Sequence, residues 1–202
     1  MKRQLGFTLI EIAIVLGIIA LILGGMLGSG MVTIGNTKNT ATISLIKDLT
    51  TGINDFKSRY RYLPGDLPNA NTDIQGVTAS NPLCEVGPNG TIGNGIIDTA
   101  NERTCVSVHL VLSGLIKGRA AGIESPFNKG VDVFLIAANT SAVNVAAINP
   151  FPLNVRNVVE ITDIPCDTAL SIDIKIDDGI ITSGNVRSTV CTNQRATLDV
   201  AI

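Results

Sequence analysis

The sequence predicts an α+β fold: a long N-terminal α-helix with its outer half packed on an antiparallel β-sheet globular domain. Three observations predict it. No charged residue occurs from Ile12 to Ile34, a run long enough to span a bilayer as a helix. Ile43, Ile46, Leu49, Ile53, Phe56 and Tyr60 then recur at steps of three and four, the stripe of an amphipathic helix lying on a core. Beyond residue 130 the chain breaks into short β-branched runs separated by turn residues.

Taken in order, Met1-Lys2-Arg3-Gln4-Leu5-Gly6 is short and basic, and its charges hold the N-terminus on the cytoplasmic side while the rest crosses outward. One helix, Phe7–Tyr62, follows and is ended by Pro64-Gly65. This divides the chain into a leader (1–6), a transmembrane half of the helix (7–35) and a globular domain (36–202) that includes the amphipathic half of the helix (36–62). Asp66 to Gly95 is rich in Asn, Gly, Pro and Thr and reads as an ordered loop. Val106, Leu110, Leu112 and Leu115-Ile116, closed by Gly118, predict a second helix over Glu102–Lys117. Strands are predicted at Val131–Ala138, Val143–Ile148, Val155–Ile161, Asn185–Val190 and Ala196–Ala201. Pro165 to Asp178 supports two readings. Leu170, Ile172, Ile174 and Ile176 alternate as in a strand, whereas Pro165, Gly179 and the shared face of Ala169, Ile172 and Ile176 suit a helix.

Composition narrows the function classes. The net charge is −2, and −4 without the first six residues, which carry Lys2 and Arg3. Aromatics are only 3% and Trp is absent, so global attraction to nucleic acid and large base-stacking platforms are both disfavoured. Cys84, Cys105, Cys166 and Cys191 form no CxxC or Cys/His cluster, which argues against zinc. An even cysteine count beyond an apolar segment reads as two disulfides made in an oxidising compartment. Four cysteines allow three pairings; the sequential one, Cys84–Cys105 and Cys166–Cys191, is preferred. No GxSxG, HExxH or phosphate-loop motif is present, so no enzyme is expected.

An ordinary secretory signal, with Gly28-Ser29-Gly30 as a loose cleavage site, or a plain membrane anchor would account for the apolar run. Both leave Glu11 unexplained, because an acidic residue inside such a segment costs about 2.5–3.5 kcal/mol on insertion scales. Gly6-Phe7-Thr8-Leu9-Ile10-Glu11 resembles the processing signal of the type IV pilin-like (prepilin) family, in its short-leader type IVa and pseudopilin class. The resemblance implies the type IV pilin fold. It also implies cleavage between Gly6 and Phe7 by a prepilin peptidase, which methylates the new Phe7 amine, and pairing of Glu11 with a neighbouring subunit's Phe7 amine during assembly. The function implied is a structural subunit, major or minor, of a type IV pilus, stored in the inner membrane with its domain periplasmic and then moved into an extracellular filament. Its partners would be the peptidase, the bilayer, other pilins and an inner-membrane assembly platform. A pseudopilin of a type II secretion system obeys the same N-terminal rules, and a minor pilin binding DNA or a receptor at the tip is a third reading. The resemblance leaves two roles open for Gly24, Gly25, Gly28, Gly30 and Gly35: a stretch that unwinds on assembly, or a GxxxG helix contact. Tyr62–Ala70, Ser113–Gly118 and Ile172–Gly179 are similar to recurring segments of one group of prepilin-like proteins, and there the last is similar to a helix-turn, which favours helix for 165–178.

The remaining candidates carry bland readings too. Asn94, Asp98 and Glu102, beside the turn-rich Asn89–Asp98, are weak candidates for calcium, with a plain turn favoured and no cofactor expected. Asp177-Asp178 could supply metal ligands but suits a helix end. Lys57, Arg59 and Arg61 interleave with Tyr60 and Tyr62, a pattern that contacts nucleic acid but more commonly complements a helix dipole. His109, in an apolar helical pattern, is expected to be a satisfied, partly buried side chain.

Overall fold

A computed structural model describes residues 8–84, 93–127, 133–146 and 150–202, with the side chains of residues 24–34, 79 and 82 outside the description. The chain divides into two compact units, Met1–Lys38 and Asn39–Ile202. Helix α1 (Leu9–Tyr60) begins in the first and ends in the second, and runs unbroken past Gly24, Gly25, Gly28, Gly30 and Gly35.

Within the second unit the predicted stripe becomes the core. Ile46, Leu49, Ile53 and Phe56 are all buried, and Ile43 and Tyr60 pack against them. Each such side chain removed from water is worth about 1.5–3 kcal/mol. Arg61 stops the helix with φ 66°. At Gly65 the φ is 90°, and an added Cβ would run into the Glu102 carbonyl, so only glycine fits that turn.

The sheet is antiparallel throughout, in the order β1-β2-β4-β3, from β1 (Val133–Ala137), β2 (Asn157–Pro165), β3 (Val186–Ser188) and β4 (Arg195–Ala201). Leu135 pairs with Val159, and Ile161 with Leu198, setting one apolar face against the α1 stripe. Ile136, Val158 and Phe151 form a smaller cluster with Val143. These strands and the outer part of α1 give the α+β layout of the type IV pilin fold.

Several boundaries differ from expectation. The segment read as one ordered loop contains α2 (Ala70–Asp73), α3 (Val77–Ser80) and a 3-10 turn over Pro82–Cys84. Residues 85–92, including Asn89, Gly90, Thr91 and Ile92, lie outside the described ones. Helix α4 (Ala100–Leu112) starts two residues before the predicted Glu102 and stops well before Lys117. Its start is fixed by a capping box, Thr99 with Glu102, and its end by Gly114 at φ 72°. Val143 belongs to no strand: α5 (Ala142–Val145) is a helical turn capped by the Ser141 hydroxyl, which accepts from Asn144 N–H. β propensity lost there to a serine cap. Residues 131–132 and 147–149 lie outside the described residues. Helix α6 (Cys166–Ile176) takes the helical reading of its segment, and Thr168 on it donates to Asn39 Oδ1 of α1 at 3.1 Å.

Cys84 is bonded to Cys105 and Cys166 to Cys191, across 21 and 25 residues of sequence. Closing each loop stabilises by roughly 3–4 kcal/mol in the loop-entropy picture.

A pair of acids, one buried and one half-buried, lies where the sheet meets α5. Glu160 and Asp199 are register partners on β2 and β4, and both carboxylates accept from the first turn of α5: Glu160 from Ala142 N–H at 2.7 Å, Asp199 from Val143 N–H at 3.2 Å. Burial pushes Asp199 up to about 7, helped by the facing Glu160 charge and opposed by Ser141 and the Val143 N–H. Burial also raises Glu160, against the Arg103 guanidinium. Arg187 is the register partner of Asp199 on β3. Because the folded Asp199 holds its proton where the unfolded one has released it, its contribution is full below about pH 4 and declines as pH rises towards 7. Asp199→Asn is expected to remove that decline, on the order of 4 kcal/mol in the difference between wild type and variant. Urea midpoints at pH 5 and 8, a window that spans about 2.5 kcal/mol of that decline, check it; an unchanged difference between the two chains at both pH values refutes it.

Candidate functional site

The first unit offers the segment that Glu11 singles out. Thr8 stands just before α1 and Glu11 is the third residue inside it. The Thr8 N–H and hydroxyl both donate to Glu11 Oε2, at 2.8 and 2.7 Å, and Thr8 Oγ1 faces the Glu11 N–H at 3.4 Å. That is a capping box, which satisfies otherwise unpaired N–H groups at the helix start. Thr8-Leu9-Ile10-Glu11 has the T-x-x-E spacing of the motif, so the signal was legible in the sequence, where Glu11 alone drew attention.

Every described side chain from Leu9 to Leu23 is exposed, Leu9 at 90% and Leu21 at 79%. Isoleucine, valine and leucine therefore form one uninterrupted uncovered surface, far beyond the scattered apolar residues a monomer tolerates. Such a surface needs lipid or other helices around it. Among the described residues no helix is long and apolar enough to cross a membrane; their side chains stop at Leu23, within the uncharged run that the sequence continues to Ile34. Gly6 and Phe7 lie outside the described residues.

Residues 1–27 match the family described as the prokaryotic N-terminal methylation motif. The chain carries the type IV prepilin and pseudopilin signature. The motif implies processing by a prepilin peptidase, membrane anchoring, and assembly with other pilins. A search of curated proteins and a search of solved structures each returned no match.

Elsewhere in the chain the other candidates are placed as follows. Asn94 and Glu102 both hold backbone N–H groups of this region. Asn94 Oδ1 accepts from Ile96 N–H at 2.6 Å, and Glu102 Oε2 accepts from Asp98 and Thr99 N–H, each at 2.9 Å, as half of the α4 capping box. Glu102 is fully buried, and burial raises its pKa against those bonds. The loop is instead gathered by Asp66, a residue the sequence did not single out: its buried carboxylate accepts from Gly93 N–H and, at 2.7 Å, from Gly95 N–H. Desolvation outweighs these bonds and raises the Asp66 pKa.

His109 is fully rather than partly buried. Its Nδ1 accepts from Gly65 N–H at 2.9 Å and Nε2 faces the Cys84 carbonyl at 3.3 Å, which fixes the neutral tautomer with the proton on Nε2. Burial pushes it down to about 4. Arg59 donates to Ser113 O at 3.2 Å and lies 6.0 Å from the Tyr60 ring centre, while Tyr60 packs on Phe56 at 4.5 Å. Tyr60 thus sits half-buried at the core edge.

Asp177 and Asp178 are joined by Asp173, one turn back on α6 and unnoticed in the sequence because it lies on the buried side of an ambiguous segment. The three place ligand oxygens within 4.8 Å of one another. Burial, then the charges of Asp178 and Asp177, push Asp173 up to about 6.

Proposed function

We propose that this prepilin is a structural subunit of a type IV pilus, held in the inner membrane by residues 7–35 and processed between Gly6 and Phe7. Assembly moves it outward: Ile12–Leu23 exchanges lipid for neighbouring helices, Glu11 meets the methylated Phe7 amine of another subunit, and the disulfide-bonded domain faces solvent. The observation that carries this reading is a carboxylate followed at once by an uncovered, uncharged apolar surface. Alone, a charge there is costly; paired with an ammonium group it is largely compensated. In the unassembled chain the Thr8 box plays the compensating part with hydrogen bonds.

Mass spectrometry of filaments sheared from the cell surface tests the proposal. The expected chain begins at N-methylated Phe7 and contains both disulfides. A mature chain that still begins at Met1 overturns the processing step. Absence from filaments, with loss of protein secretion on deletion, assigns it to a secretion pseudopilus instead.

A further inference from the structure

We propose that the C-terminal end of α6 is a calcium site whose ligands are the carboxylates of Asp173, Asp177 and Asp178. Asp173 carries the argument. It is fully buried, and neither of its carboxylate oxygens has a partner in ordinary hydrogen-bond geometry; the nearby Gly179 N–H favours its charged form without offsetting the burial. Buried carboxylates are retained when something compensates them, and what faces this one is two further carboxylates.

Those two are held rigidly in place. Asp177 Oδ2 accepts from Asn185 N–H at 2.6 Å and Val186 N–H at 2.9 Å, leaving Oδ1 uncommitted to either. Asp178 accepts from Ile180 N–H at 2.8 Å and from the Ser183 hydroxyl at 2.7 Å. Three anions thus gather at the negative end of an 11-residue helix, where the macrodipole adds to their repulsion. Arg187 favours the charged form of Asp178 and also donates to the Gly184 and Pro150 carbonyls.

The donors choose the ion. They are all oxygen, and all four cysteines are in disulfides, so a hard cation is favoured over zinc or copper. The three carboxylates lie close enough to share one cation, and Ca2+, with its roomier and more adaptable oxygen shell at about 2.3–2.6 Å, accepts a preset carboxylate cluster more readily than Mg2+, which demands a near-ideal octahedron at about 2.0–2.1 Å. Binding would fasten residues 177–186, the turn that leads from α6 into β3.

The test uses the full processed chain in detergent, stripped with EDTA and titrated with CaCl2 by calorimetry and by thermal unfolding. One Ca2+ per chain is expected, with the unfolding midpoint raised by about 5 °C or more at saturation. Asp173→Asn should weaken Ca2+ binding at least about 10-fold and, without calcium, should unfold at a higher temperature than wild type. The substitution breaks no hydrogen bond, and Asp178→Asn, at an exposed position, gives an independent check of the same loss. No binding heat and no midpoint change up to about 10 mM CaCl2 overturns the site. An equal response to MgCl2 overturns the choice of ion, and a response that survives Asp173→Asn and Asp178→Asn overturns its location.

Discussion

Filament assembly is expected to fail in Glu11→Leu and in Glu11→Gln alike, while both chains keep a folded Asn39–Ile202 unit and remain substrates for cleavage after Gly6. The two substitutions separate two things that Glu11 does. Its Oε2 accepts from the Thr8 N–H and hydroxyl, and glutamine retains an acceptor oxygen for that capping box. Leucine removes the box, which costs about 1 kcal/mol at a helix start. Neither variant has the negative charge. Leaving an ammonium group unpaired in an apolar surround costs about 3–5 kcal/mol, at least about 100-fold in the association of each incoming subunit. Thr8→Ala supplies the converse control: it removes the hydroxyl, keeps the charge, and should assemble at close to the wild-type level. Surface filaments counted by electron microscopy, alongside immunoblots of the cleaved chain, decide the matter. If Glu11→Gln assembles normally, the carboxylate serves only to start the helix and the charge-pairing account is wrong.

What the sequence made legible follows from how far each signal reaches. The α1 stripe was readable because Ile46, Leu49, Ile53 and Phe56 obey one helical period over several turns, and all four are buried. The processing signal was readable because it is local, six residues in a row. Capping is just as local: Thr8–Glu11 and Thr99–Glu102 both have the T-x-x-E spacing, and a glutamate at that position serves the helix start whatever else it does. Val143 misled because a β-branched run says nothing about the Ser141 hydroxyl beside it. Contacts across the fold left no local trace at all. Asp66 reaches Gly93 and Gly95, His109 reaches Gly65, and Asp173 meets Asp177 only if the segment is a helix. A sequence displays spacing along the chain, and these groups are brought together by tertiary packing.

His109→Ala is expected to destabilise the second unit by about 3–5 kcal/mol, more than any surface change in this domain would. Three losses combine. The Gly65 N–H, buried at the turn that ends α1, loses its acceptor, at about 1–3 kcal/mol for an unsatisfied buried group. The Cys84 carbonyl loses its contact to Nε2. The ring stacked on Phe56, at 5.9 Å and 8° between planes, leaves a cavity in the centre of the core. The imidazole thus ties the end of α1 to the Cys84–Cys105 staple, which fixes the rest of the fold against the helix. The same contacts require it to stay neutral. An unfolded histidine takes a proton near pH 6.5, whereas the folded one resists until about 4. Its contribution is therefore complete above about pH 6.5 and is lost as pH falls towards 4, by about 3 kcal/mol. Asp199 acts in the opposite direction over much of that range, because its folded form holds a proton up to about 7. The two slopes largely cancel in the wild type and are separated only by substitution. Urea denaturation from pH 4 to 8 should show a His109→Ala chain that loses stability with rising pH, and an Asp199→Asn chain that gains it up to about 6.5. Parallel profiles for the two variants would mean that neither group is held in the protonation state its burial demands.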